Sequence, residues 1–172
     1  TIGATQYLAN GGAVVGNAFT PVNATNVTLT LTNNATLTWG WSTNYQLTPA
    51  AGPNGSINQG TQWVGAGSNV VVTATPSNGY SFLNWTGNTN GCPIAGNVIT
   101  AAMTQARSIT ANFLVNQHTL TVNSSQGGAN PGTTLTNWGT VMSCFITNSP
   151  VTIGSTQYLA NGGAVVGNAF TP

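Results

Sequence analysis

Gly67-Ser-Asn-Val-Val-Val-Thr-Ala-Thr-Pro-Ser-Asn-Gly-Tyr-Ser-Phe-Leu-Asn-Trp-Thr-Gly87 reads as two strands joined by a tight turn. Val70 to Thr75 is a β-branched run, and Tyr80 to Trp85 is an aromatic one. Such runs suit a pleated, half-buried surface. Pro76-Ser-Asn-Gly79 between them carries the residue types that turns require. Val70 and Val72 alternate inward, Tyr80, Phe82 and Trp85 build a core, and Phe113 closes it.

The same grammar extends outward. Asn26 to Thr32, Thr36 to Trp41 and His118 to Val122 alternate strictly. Thr faces one side, and Val, Leu or Trp faces the other, as in strands with one wet face. Ser108 to Phe113 and Thr140 to Ile146 are further β-branched or aromatic runs. Pro53-Asn-Gly55, Asn90-Gly91 and Asn130-Pro-Gly132 are turn signals. No window carries a capped helical stripe; Ile99 to Gln105 is the one stretch able to form a short helical turn. The expected fold class is all-β, built from small β-rich modules of sandwich or β-grasp-like form.

A second level of order is repetition. Thr1 to Pro21 returns at Thr152 to Pro172 with one change, Ala4 to Ser155, at an offset of 152 − 1 = 151 residues. Independent motifs diverge, whereas recent tandem duplications stay nearly identical. The chain therefore reads as one repeat of a tandem array whose ends overlap. It opens on Thr1 rather than Met, which fits a processed product or an excerpt of something longer.

Gly67 to Gly87 has the form G-x-x-V-x-V-x-A-x-P-x-x-G-Y-x-F-x-x-W-x-G, and Met103 to Phe113 has the form M-x-x-x-R-x-I-x-A-x-F. These two motifs resemble the divergent InlB B-repeat family, small β-rich modules of bacterial surface proteins. The resemblance covers Tyr45 to Phe113. It implies exposure on or around a bacterial surface, and it does not imply catalysis. The remainder looks like a related second module, split by the repeat boundary. Residues 1–44 are its C-terminal half, 45–113 the intact module, 114–117 a linker, and 118–172 the N-terminal half. A half-module cannot cover its own apolar face. Val27, Leu29, Leu31, Leu37, Trp39 and Trp41, with Tyr158, Val165 and Phe170, are the expected polymerisation strands. Their partners come from the same chain, the next repeat or a neighbouring subunit.

The resemblance also bears on the cysteines. Relatives often carry a Cys just after a Gln-Tyr pair, facing a Cys in the Ser-Cys strand; here those positions are Ala9 and Ala160. Cys144 thus lacks its usual partner, and Cys92 is the candidate replacement, which would staple one module to the other.

Composition bounds the chemistry. The chain has one Lys or Arg, one His and no Asp or Glu, so 1% of it is charged where about a quarter is usual. No carboxylate is available for acid–base work or for metal binding. The expectation is no enzyme, no cofactor and no metal site. Arg107 alone makes no basic patch, so nucleic acid is not an expected partner. It is expected to cap backbone carbonyls or lie on an aromatic face. His118 opens a strand without an orienting partner, which favours a structural role. No apolar run approaches the ~18 residues of a membrane span.

Near-zero net charge favours self-association. The expected function is a structural unit of an extracellular filament that assembles head to tail through shared strands. The rival is a surface adhesin that binds polysaccharide on exposed rings. Trp63 and Trp138, beside glycines or outside the cleanest alternations, are its candidates, although packing is the commoner fate of aromatics.

Overall fold

The threonine-flanked apolar alternations become strands wherever a partner is available. A computed structural model describes residues 1–167; Phe170, among the expected polymerisation residues, lies outside them. The described chain is all-β. It divides into an N-terminal lobe, Thr1–Leu114, and a C-terminal lobe from Val115 on.

In the N-terminal lobe the strands are β1 (Thr5–Val15), β2 (Phe19–Asn23), β3 (Asn26–Leu29), β4 (Thr36–Ala51), β5 (Gly55–Ile57) and β6 (Gln62–Gly65). They continue with β7 (Asn69–Pro76), β8 (Tyr80–Gly87), β9 (Ile94–Ala95), β10 (Val98–Ala102) and β11 (Arg107–Val115). One sheet has the order β1-β4-β11-β8, with β6 also paired to β4; a second has the order β5-β7-β10-β9. β4 runs antiparallel to β1 and β6 and parallel to β11.

The two sheets supply one core. Leu47, Trp85, Ile109 and Ala111 come from the first, and Val72, Ala74, Ile99 and Ala101 from the second, with Met103 between β10 and β11. This is sheet-on-sheet packing, in which inward residues of each face interdigitate. Phe82 and Phe113 pack against the cluster, and the Phe82 ring sits 5.6 Å from Trp85 and 6.3 Å from Phe113. Of the core expected from sequence, Val72 and Trp85 are buried, while Val70, Tyr80, Phe82 and Phe113 are half-buried. Gly55 lies so close to Phe113 that an added Cβ would fall 2.2 Å from the ring.

The C-terminal lobe holds β12 (Gln117–Thr121), β13 (Ala129–Asn130), β14 (Thr133–Asn137), β15 (Phe145–Ile146), β16 (Val151–Ile153) and β17 (Thr156–Tyr158). They form three two-stranded pairs: β12 with β14, β13 with β15, and β16 with β17. Two expectations are corrected. Ile99 to Gln105 makes no helical turn, because Val98–Ala102 joins the ladder of β7. The run Thr140 to Ile146 shortens to Phe145–Ile146, since residues 140–144 have no strand to pair with and Val141 stands 95% exposed.

Candidate assembly interface

Burial is confined to one stretch. Among the described residues, every buried one lies between Leu47 and Ala111. The flanking segments, 1–44 and 115–167, contain strands but no fully buried side chain. Alternation has given them two-faced strands, and nothing covers the second face.

The expected polymerisation residues sit on those faces. Val27 and Leu29 on β3, and Trp39 on β4, are half-buried. Leu31, Leu37 and Trp41 are exposed, Trp41 by 61%. Tyr158 and Val165 are exposed in the C-terminal lobe. Isolated exposed apolar residues are ordinary; here Leu37 and Trp41 share one face of β4, whereas Leu31 and Val165 lie outside any strand.

Tyr158 and Val165 belong to the duplicated segment, whose first copy pairs with the strand that carries Leu37, Trp39 and Trp41. In its first copy it forms β1, paired from Thr5↔Tyr45 to Val15↔Thr36 with a bulge between Ala9 and Gly12. The bulge lets Gly11 donate from its N–H to the Ala24 carbonyl of the β2–β3 hairpin, at 3.0 Å. Asn17 then ties the hairpin's far end. Its amide Nδ2 donates to the Asn33 carbonyl (2.7 Å), and its Oδ1 accepts from the Thr32 and Asn33 amides (2.9 and 3.1 Å). Between β1, β4 and the hairpin lies an open cleft of about 510 Å³ lined by Asn10, Phe19, Pro21 and Trp39 among others.

In the second copy the same sequence makes only Thr152–Ile153 of β16 and the short β17, and residues 159–167 have no strand assignment. The backbone nevertheless keeps its shape. Gly11 has φ 107° and Gly162 has φ 109°; Gly16 has 97° and Gly167 has 95°. What differs is the surroundings. A Cβ on Gly12 would lie 2.8 Å from Leu37 and 3.2 Å from Trp39, whereas one on Gly163 meets nothing within 4 Å. The second copy is shaped like β1 but lacks a β4.

Arg107, the sole cation, is 4% exposed and lies at the start of β11. Its Nε donates to the Ala102 carbonyl (2.6 Å), and its Nη1 donates to the carbonyls of Asn88 (2.8 Å) and Asn90 (2.9 Å). Nη2 reaches Thr104 Oγ1 at 3.3 Å. The guanidinium fork therefore clamps the β8–β9 loop to the end of β10, the carbonyl-capping role expected of it.

The other singled-out residues are not brought into one site. His118 is exposed on β12. Cys92 is half-buried against the core and Cys144 is exposed; both thiols are free. Trp63 on β6 is 36% exposed and Trp138, after β14, is 44% exposed. Sequence reasoning missed Leu47, Ile99, Met103 and Ile109 as the largest fully buried side chains. Ile109 and Met103 lie within the quoted motifs and were available as signals; Leu47 and Ile99 had only their alternation.

The sandwich, its motif residues and its arginine clamp define a small all-β repeat module. Residues 45–117 match the family model of the divergent InlB B-repeat domain. The matched family is one of repeat modules of bacterial surface proteins that are not typically enzymatic, and its model covers less than half of this chain. No curated protein and no solved structure matches the chain. Among the described residues, no helix is long and apolar enough to cross a membrane.

Proposed function

We propose that the chain is a structural repeat of an extracellular bacterial filament, joined head to tail through strands of the duplicated segment. One observation carries this reading. The first copy of the segment is built into a sheet by β4, while the nearly identical second copy keeps the same glycine dihedrals and has no such partner. The unburied flanks support it, because each is a two-faced layer that needs a further layer to form a core. The matching surface-repeat module supports the extracellular placement.

The test is negative-stain microscopy of native material together with its mass under denaturing, reducing conditions. Uniform fibres that dissociate into chains of 17.4 kDa mean non-covalent assembly. Fibres whose chains remain far larger mean one long tandem polypeptide. Discrete monomers refute the filament.

A second reading, a polysaccharide-binding adhesin, draws on the partial exposure of Trp63 and Trp138. Flat rings at a Thr- and Asn-rich surface can stack on sugars. Glycan-array binding that disappears in Trp63→Ala or Trp138→Ala would favour it over the filament.

A further inference from the structure

The first copy of the duplicated segment pairs mainly along one edge, with β4, and touches its other edge only at Thr5; the second copy pairs only along that other edge. In the first copy the N–H of Gln46 donates to the Ala4 carbonyl at 3.0 Å, and Gln6 stands opposite Asn44. Backbone polar groups alternate between the two edges of a strand. Ala4, Gln6 and Leu8 therefore turn theirs toward β4, and Thr5 and Tyr7 turn theirs away. The outward groups of Thr5 pair with Ile2: Ile2 N–H donates to the Thr5 carbonyl (2.8 Å) and Thr5 N–H to the Ile2 carbonyl (3.1 Å).

In the second copy, β16 lies opposite Thr156, Gln157 and Tyr158, and the Ile153–Thr156 pair closes the same turn across which Ile2 and Thr5 exchange both backbone hydrogen bonds, so Thr156 and, by alternation, Tyr158 turn their polar groups toward β16. Thr156 and Tyr158 are the counterparts of Thr5 and Tyr7. β16 thus occupies the edge that β1 turns away from β4. The other edge of β17 carries Gln157, the counterpart of Gln6, and no strand pairs there among the described residues. One copy of the strand can therefore hold β16 and β4 at the same time, because the two claim different backbone groups.

We propose that, where one repeat follows another, the duplicated segment is a single strand held on both edges. β16, made of Val151 of the preceding repeat and the segment's own Thr152 and Ile153, folds back onto one edge, and the Thr36–Tyr45 stretch of the following repeat takes the other. The inference rests on the head-to-tail reading above and specifies its joint. The register follows from the first copy: Thr156 opposite Tyr45, Gln157 opposite Asn44, and, past the bulge, Gly163 opposite Trp39 and Val165 opposite Leu37 of the following repeat. The only residues between β16 and β17 are Gly154 and Ser155, a hairpin turn with Gly154 at φ 61°. Such turns fix the register of the strands they join.

Amide hydrogen exchange by NMR tests this. Two chains are compared: the 172-residue chain, and the same chain continued by a second pass through residues 22–172, with Thr1–Pro21 and Thr152–Pro172 isotopically labelled in both. In the 172-residue chain, the Thr156 and Tyr158 amides exchange slowly and the Gln157 amide fast. In the longer chain, Gln157 is expected to slow by on the order of 100-fold while Thr156 and Tyr158 stay slow. If Gln157 slows but Thr156 and Tyr158 become fast, the following repeat has taken the strand from β16. The shared strand is then wrong and the head-to-tail array survives. If Gln157 stays fast while Gln6 remains protected, the chain is folded but the following repeat ignores the segment, and both readings fall.

Discussion

Replacing Arg107 with methionine tests how much of the module depends on its single buried cation. The parent side chain donates to three carbonyls at 2.6, 2.8 and 2.9 Å and to the Thr104 hydroxyl at 3.3 Å. A hydrogen bond to a charged group contributes about 1.5–3 kcal/mol. Three would give about 5–9 kcal/mol if nothing opposed them. Two effects do. Burying a guanidinium costs several kcal/mol, which methionine avoids. Asn88 and Asn90 are also exposed, so their carbonyls can turn to water, whereas Ala102 is half-buried. The expected net loss for Arg107→Met is about 3 kcal/mol. For a domain of this size that lowers the melting midpoint by roughly 10–25 °C. Arg107→Lys keeps the charge but loses the fork that spans Ala102 and the Asn88–Asn90 loop, so an intermediate loss of about 1–2 kcal/mol is expected. Urea unfolding followed by tryptophan fluorescence reads both, since Trp85 is buried in the same core. A methionine variant within about 0.5 kcal/mol of the parent would refute the clamp, and a lysine variant equal to the parent would refute the role of the fork.

Gly55→Ala forces a methyl group into the Phe113 ring and is expected to cost about 1–3 kcal/mol in the same assay. Gly12→Ala pushes against Leu37 and Trp39 and is expected to lower stability by about 1 kcal/mol. Gly163→Ala in the 172-residue chain meets nothing and should stay within about 0.5 kcal/mol; equal losses would contradict the difference in surroundings. With no Asp or Glu in the chain, no side-chain carboxylate can take up protons on unfolding, and the one histidine, His118, is exposed in the fold, so the urea midpoint should be flat between pH 4.5 and 7.5. A steep acid transition would refute that. Alkylation without reductant should label exposed Cys144 faster than half-buried Cys92; a mapped Cys92–Cys144 peptide would instead reveal the inter-module staple.

Much of the core module was legible because its strands carry their own punctuation. Val70 to Thr75, Pro76 to Gly79 and Tyr80 to Trp85 became β7, a turn and β8. For Arg107 the absence of any side-chain carboxylate left two roles, capping carbonyls or lying on an aromatic face, and the structure shows the first. β4 was harder. Thr36 to Trp41 was visible, but the strand continues unbroken to Ala51, through polar Ser42, Thr43 and Asn44, where no alternation shows. Its continuity comes from β1 and β6 on its flanks, and pairing between distant segments leaves no local mark. The boundary expected between residues 44 and 45 falls inside it. Thr140 to Ile146 shows the converse, a strand-like pattern left mostly unpaired because propensity needs a neighbour. For the interface, the duplication was plain in the sequence. Which edge each copy uses was not, since edge choice is a property of backbone pairing alone.

The burial of Arg107 has a consequence for the medium in which the protein works. Its one permanent cation lies under the β8–β9 loop, and there is no side-chain carboxylate anywhere in the chain. The outer surface thus offers dissolved ions almost nothing to screen, and in the proposed assembly contacts between copies would depend on apolar area and backbone pairing. Salinity then has little purchase on association. The same contacts would hold in fresh water and in brine, where a material joined by surface ion pairs would loosen as the salt rose.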